Sequence, residues 1–162
     1  MNAYSAPLAD MRFVLHELLD VEALYATLPD SDHLNRELLD AVLEEGARFT
    51  EQVLAPLYQS ADAEGCHFDP ADGSVRTPTG YRAAYAQWVE NGWSGLTAPE
   101  AYGGQNLPEV LGSAIKEMVD AANLAWGNYP LLAHGATEAL KHHGEEWQRE
   151  VFLRPIVEGR DT

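Results

Sequence analysis

Apolar residues recur along most of the chain at helical spacing, and the breaks fall on proline and glycine. Met11, Val14, Leu15, Leu18 and Leu19 stand at i, i+3, i+4, i+7 and i+8, which predicts an amphipathic helix beginning after Pro7. A short second piece, 21–28, ends at Pro29. Ser31 or Asp32 then supplies a cap for a long helix marked by Leu34, Leu38, Val42, Phe49 and Val53, its stripe widened by Leu39, Leu43 and Leu54. Pro56 should kink that helix or restart it, and Gly65 can close the extension in a left-handed cap.

From Cys66 the helical period stops. Asp69, Pro70, Asp72 and Gly73 are turn chemistry between His67-Phe68 and Ser74-Val75, which predicts a small hairpin with weak strands near residues 66–76. Thr77 followed by Pro78 reads as an N-cap and a first-turn proline for a helix whose aromatic face is Tyr81, Ala84, Tyr85, Trp88 and Val89. Asn91-Gly92 ends it. The loop 92–105 holds four glycines, a proline and two large aromatics, a composition suited to positive φ and close backbone approach. Pro108 restarts a helix with Leu111, Ile115, Met118, Val119, Ala122 and Trp126 inward and Gly112 admitting a close neighbour. Gly127-Asn128-Tyr129-Pro130 should break it. Leu131, Leu132, Gly135, Ala136, Ala139 and Leu140 form the next helix, capped by Gly144. A last one, 145–158, carries Trp147, Val151, Phe152 and Ile156 and must bend at Pro155. The fold expected is all-α: a helical bundle of five or six helices, with residues 1–30 as an N-terminal helical extension and 31–162 as the main helical domain.

Charge narrows the function classes. With 10 Lys and Arg against 26 Asp and Glu, the 162-residue chain carries a formal charge of −16. A nucleic-acid partner is not expected, because such binders need a basic face. A polyphosphate ligand would also be repelled unless cationic groups elsewhere held it, so this chain should not be its main phosphate holder. The single cysteine, Cys66, forbids an internal disulfide and a Cys-rich zinc site. No secretory signal and no apolar run near the length of a membrane span is visible, and a cytoplasmic protein is expected.

Residue constellations point mostly to structure. Glu64 and His67 have the carboxylate-x-x-histidine spacing of di-iron bundles, but a second pair and two more glutamates are missing, so no metal site is expected. His134 and Glu138 share a helical face and can pair, either structurally or in metal or acid–base work. His142 and His143 point about a hundred degrees apart and cannot chelate together. No Gly-x-Ser-x-Gly, P-loop or Gly-x-Gly-x-x-Gly is present, and no catalytic residue is expected in this chain. Along 127–139, Asn128 and Leu132 share one face and Leu131 and Gly135 the next, which suits either helix packing through small residues or a ligand lying along the strip.

The loop Gly92-Trp93-Ser94-Gly95-Leu96-Thr97-Ala98-Pro99-Glu100-Ala101-Tyr102-Gly103-Gly104 resembles a junction in the N-terminal helical domain of flavin-dependent acyl-CoA dehydrogenases. Four other segments resemble the same family in the same order: Val53-Leu54-Ala55-Pro56-Leu57, Asp62-Ala63-Glu64-Gly65, Trp126-Gly127-Asn128-Tyr129-Pro130 and Lys141-His142-His143-Gly144-Glu145. The opening residues 4–13 look most like the longer bacterial branch, which includes 3-methylmercaptopropionyl-CoA dehydrogenases.

The resemblance implies an enzyme that α,β-dehydrogenates an acyl-CoA. A glutamate removes the α proton, the β hydride passes to FAD, and an electron-transfer flavoprotein takes the electrons. It implies acyl-pocket positions at Asn128, Leu131, Leu132 and Gly135, with Tyr129 nearby, and assembly as a homo-oligomer when complete. It also implies that the middle β domain, the C-terminal helical domain, the flavin contacts and the base are absent from this chain. The fragment alone should then be inactive and should not retain FAD. The alternative is a stand-alone helical scaffold or binding module derived from such an enzyme.

Overall fold

The computed structural model describes residues 4–28, 31 and 33–161. The chain begins with α1 (Leu8–Arg12), which widens into a π turn over Phe13–Leu18. One extra residue in a turn rotates all that follows by about 100°. The stripe predicted from spacing is therefore corrected: Met11 and Leu15 are buried, but Val14, Leu18 and Leu19 are exposed and His16 takes an inward place. After α2 (Val21–Tyr25), the expected end at Pro29 and the cap candidate Asp32 fall outside the described residues. The cap of α3 (Arg36–Phe49) is Asn35, whose side chain accepts from the Leu38 amide at 2.9 Å, in place of Ser31.

Pro56 has no N–H to give the carbonyl one turn back, and the helix adapts before reaching it. It loosens to a π turn at Thr50–Leu54, tightens to a 3₁₀ turn at Ala55–Leu57, and resumes as α4 (Tyr58–Glu64). Thr50, fully buried, returns its hydroxyl proton to the carbonyls of Gly46 and Ala47. Gly65 ends α4 at φ 68°, but its ψ of −178° makes the exit extended where a left-handed helical cap was expected. The hairpin forms as β1 (His67–Phe68) against β2 (Val75–Arg76), with His67 opposite Arg76 and Phe68 opposite Val75. α5 (Tyr81–Glu90) starts at Gly80, three residues beyond the Thr77 cap expected. The reason is that Glu64 captures both the Thr79 amide (2.9 Å) and hydroxyl (3.0 Å), which holds that stretch outside the helix.

The loop after α5 contains two 3₁₀ turns, Trp93–Gly95 and Glu100–Tyr102, and closes on itself through backbone bonds. Gln105, Asn106 and Leu107 donate to Gly95, Ala98 and Leu96 at 2.8, 2.9 and 3.0 Å. Gly104 lies so close to Ala98 that a Cβ there would come within 2.1 Å of the Ala98 carbonyl oxygen. α6 (Glu109–His143) follows, and Asn123 (φ −161°, ψ 84°) divides it into two arms. The break expected at 127–130 is thus found a turn earlier, and Pro130 sits inside the second arm. The arms double back beside one another, so that Lys141 approaches Glu109 to 3.9 Å.

The core fills the space between α3, α5 and the two arms. Leu43, Leu54, Leu111, Met118 and Trp126 are fully sequestered. Trp126 packs edge-on against Trp88 (5.5 Å between ring centres) and Phe49 (5.9 Å), with Trp93 beyond Trp88. At the corner, the Asn123 amide oxygen accepts from the Tyr81 hydroxyl (3.0 Å) and the Trp126 amide (3.2 Å), and its nitrogen donates to the Leu54 carbonyl (3.3 Å). The chain ends in α7 (Glu146–Gln148), a π turn at Arg149–Leu153 and α8 (Arg154–Val157). As at Pro56, the wide turn precedes a proline, here Pro155. Its rotation buries Leu153 and Val157 and leaves Val151 and Phe152 outside, and Trp147, ahead of the turn, is also exposed, which corrects the apolar face expected for that helix.

Two substitutions test this packing. Asn123→Ala strands two donors and a carbonyl in the core and removes the cap of the second arm, so urea unfolding should show a loss of about 3 kcal/mol. A loss below about 1 kcal/mol would mean the corner is held by packing alone. Gly104→Ala pushes a methyl group into backbone that cannot retreat, and the same measurement should show a loss of about 2 kcal/mol.

Candidate functional site

The second arm of α6 has one side in the core and one side open. Asn128, Leu131, Leu132 and Gly135 share the open side, and Leu132 is 77% exposed. Leu124 one turn before, and Ala136 and Ala139 beyond, extend the strip along the helix. Gly135 lies against nothing: a Cβ built there meets no atom within 4 Å. Tyr129 departs from this group. It is half-buried behind the strip, edge-on to Tyr81 at 6.0 Å, and burial pushes its hydroxyl above the usual phenol range. The structure thus brings four of the five expected site residues onto one surface and turns the fifth toward the core.

A cavity of about 140 Å³ lies between the arms. Gly112, Lys116 and Asp120 line it from the first arm, Gly127, Leu131, His134 and Thr137 from the second, and Trp88, Trp93 and Leu96 form its floor. Leu131 joins cavity to strip, since it lines the one and is partly exposed on the other. The walls are mostly apolar. Among the described residues, the indole nitrogens of Trp88 and Trp93 and one carboxylate oxygen of Asp120 are buried there without a hydrogen-bond partner. The other Asp120 oxygen pairs with Lys116.

The remaining candidates are absorbed by structure. Glu138 pairs with Lys141 (3.1 Å) and His142 (3.2 Å). Burial works to raise its carboxyl, but the Lys141 hydrogen bond and the nearby cations outweigh that and hold it below the usual range. His134 lines the cavity wall and reaches Glu138 only through the field of its charge. Glu64 is engaged by Thr79, whose amide and hydroxyl lower its carboxyl, while His67 lies on β1. Among the described residues, no group of three His, Cys, Asp or Glu side chains is placed to hold a metal ion. No described helix is long and apolar enough to cross a membrane.

Such a surface can grip an apolar chain and exclude water from it. Sequence reasoning missed the cavity residues Lys116 and Asp120, although their i, i+4 spacing beside the buried Ile115 and Val119 marks a polar edge on the first arm. It also missed His16, which only the π turn carries inward.

Residues 36–160 match the family model described as acyl-CoA dehydrogenase, N-terminal domain. The chain is 36% identical over 157 residues to a 3-methylmercaptopropionyl-CoA dehydrogenase of Ruegeria pomeroyi, and 27% identical over 157 residues to a butyryl-CoA dehydrogenase of Syntrophomonas wolfei. These alignments cover 97% and 96% of this chain and 26% of each relative, so the chain spans about a quarter of their length. Among solved structures, a chain from work on the electron transferring flavoprotein of Acidaminococcus fermentans superposes with a TM-score of 0.58 at 23% identity, over 79% of this chain and 30% of that one, which is a likeness of fold. With the family's stretch running from the start of α3 past the end of α8, the chain belongs to the acyl-CoA dehydrogenase N-terminal domain family.

Proposed function

We propose that this chain is the N-terminal helical part of a FAD-dependent acyl-CoA dehydrogenase and that its second α6 arm walls the substrate's acyl pocket. The observation that carries this reading is the open apolar strip on a helix inside the family's own stretch, in a chain a quarter as long as its relatives. Asn128, Leu131, Leu132 and Gly135 form the wall in direct contact, and Tyr129 stiffens the arm from behind. The acyl chain is bound by removing this strip from water, at about 25 cal/mol per Å² of apolar area.

The flavin belongs elsewhere in the polypeptide. Most Lys and Arg residues here already face carboxylates, among them Arg12, Arg36, Lys116, Lys141 and Arg154, which supports a site for the FAD pyrophosphate outside this chain. When bound by the complete enzyme, FAD supplies the hydride acceptor. What this chain contributes is orientation: it fixes the acyl tail and keeps water away from the reacting carbons. The base and the homo-oligomer contacts lie in the complete protein, and an electron-transfer flavoprotein is the separate partner that receives its electrons. Its compartment, on this reading, is the cytoplasm.

Two results are expected. The purified 162-residue chain, assayed with acyl-CoA thioesters and an artificial electron acceptor, should show no dehydrogenation and carry no flavin absorbance, and measurable turnover would refute the proposal. Gly135→Leu should leave the urea midpoint of this chain unchanged or raised, because the new side chain meets only open space and a helical glycine is removed. In the complete protein the same change should raise KM for longer acyl chains by roughly tenfold, the worth of one or two misfitted methylenes. Unaltered kinetics with every chain length would remove the strip from the pocket.

A further inference from the structure

Residues 4–28 precede the family's stretch and lie against α3. Their inner side is settled. Met11, Leu15 and Val21 are buried in the core, Arg12 pairs with Asp40 at 2.9 Å, and the Ala6 amide donates to Glu51 at 2.8 Å. The outer side is apolar as well. Phe13, Val14, Leu18 and Leu19 stand on the π turn, where residues four and five apart share a face, and Leu18 is 66% exposed. Leu24 on α2 and Leu28 just beyond it are also exposed. A helical segment that is apolar on both sides is built to be covered on both sides, and exposed apolar side chains gathered this densely within 13–28 mark a contact surface.

The lengths of the similar proteins point to what covers it. The alignments to the Ruegeria and Syntrophomonas relatives take in 97% and 96% of this chain, and therefore nearly all of residues 4–28. Since 157 residues are 26% of each, those relatives run to about 600 residues. The solved chain of like fold matches over 79% of this chain, hardly more than residues 36–160 supply by themselves, and because that is 30% of its own length it runs to about 430 residues. The N-terminal segment thus accompanies chains longer by roughly 170 residues, the size of a further domain.

We propose that the outer face of residues 13–28 is the seat of that further segment, so that α1, its π turn and α2 are clamped between α3 and a part of the polypeptide that the shorter chain lacks. This rests on the reading of the chain as the N-terminal part of a longer enzyme. Charge argues against a second copy as the occupant. Residues 4–28 carry Asp10, Glu17, Asp20 and Glu22 against Arg12, and of the nearby cations Arg12 is held by Asp40 and Glu44 and Arg36 by Glu17. Two such faces brought together would set like charges against one another, and an anionic lipid surface would be repelled in the same way. The segment seated here brings apolar side chains to the centre of the contact and Lys or Arg to its rim.

The test uses the polypeptide read from the complete gene. Leu18→Cys in a Cys66→Ser background alters exposed positions, so the urea midpoint of the 162-residue chain should not move, and alkylation of the new thiol should be rapid there and roughly a hundredfold slower in the complete protein. With p-benzoylphenylalanine in place of Leu18, irradiation of the complete protein, made as a mixture of isotope-labelled and unlabelled chains, should give an adduct within one chain, in the stretch without a counterpart in the shorter solved chain. Equal alkylation rates, an adduct between copies, or an adduct in a stretch shared with the shorter chain would each overturn the proposal. A gene that encodes no longer polypeptide would end both this proposal and the pocket reading, whereas a long polypeptide that shields Leu132 and leaves Leu18 open would end this one alone.

Discussion

The three hydrogen bonds of Asn123 are the contact on which the arrangement of this domain depends. A helix that reverses direction leaves amides and carbonyls unpaired at the corner, and here the corner is inside the core, where each unpaired group costs about 1–3 kcal/mol. One asparagine meets the requirement by capping the second arm at Trp126, taking the Tyr81 hydroxyl from α5 and giving its amide to Leu54 at the end of the π turn. Trp126 closes the knot by donating its indole N–H to the Tyr81 carbonyl at 3.3 Å. Three elements distant in sequence are fixed by two adjacent turns of one helix. The direction of the second arm, and so the way its strip faces, follows from that fixation.

The π turns serve the same end from the other side. Before Pro56 and Pro155 a wide turn absorbs the missing backbone donor without ending the helix, and each changes which residues face inward downstream. The first brings Leu54 to Asn123. The second turns Leu153 and Val157 onto Ala98 and ties the end of the chain to the loop, where Arg154 donates to the Ala101 carbonyl at 3.0 Å. The loop, the corner and the C-terminal turns are therefore one connected support behind the strip.

Most of this was legible in the sequence where a face keeps its period. The stripes of α5 and the first arm of α6 are buried as the spacing requires, whereas along α3 and its flanks Leu39, Leu43 and Leu54 form the buried line and Leu34, Leu38, Val42 and Val53 are half-buried beside it; the turn residues around Asp69 and Gly73 announced the hairpin. Periodicity failed where a helix changes its own pitch: an inserted residue at 13–18 or 149–153 leaves no mark in composition, yet it exchanged Leu18 for His16 and Phe152 for Leu153. Likewise, Pro130 looked like the break because a proline costs a helix one bond, whereas the tertiary partners of Asn123 made the break cheaper there. The strip residues were readable as two neighbouring pairs, Asn128 with Leu132 and Leu131 with Gly135, but that Tyr129 turns inward depends on Tyr81, a contact that sequence spacing does not contain.

The central claim is that the open side of the second arm is a wall completed by other parts of a longer polypeptide. The most direct test places a single thiol on it, as Leu132→Cys in a Cys66→Ser background, and compares its alkylation rate in the 162-residue chain with that in the polypeptide read from the complete gene. The account predicts rapid modification in the chain alone and protection of roughly a hundredfold or more in the complete protein, restored in part when bound acyl-CoA is removed. Equal rates in the two forms would mean that the strip faces solvent throughout and walls no pocket.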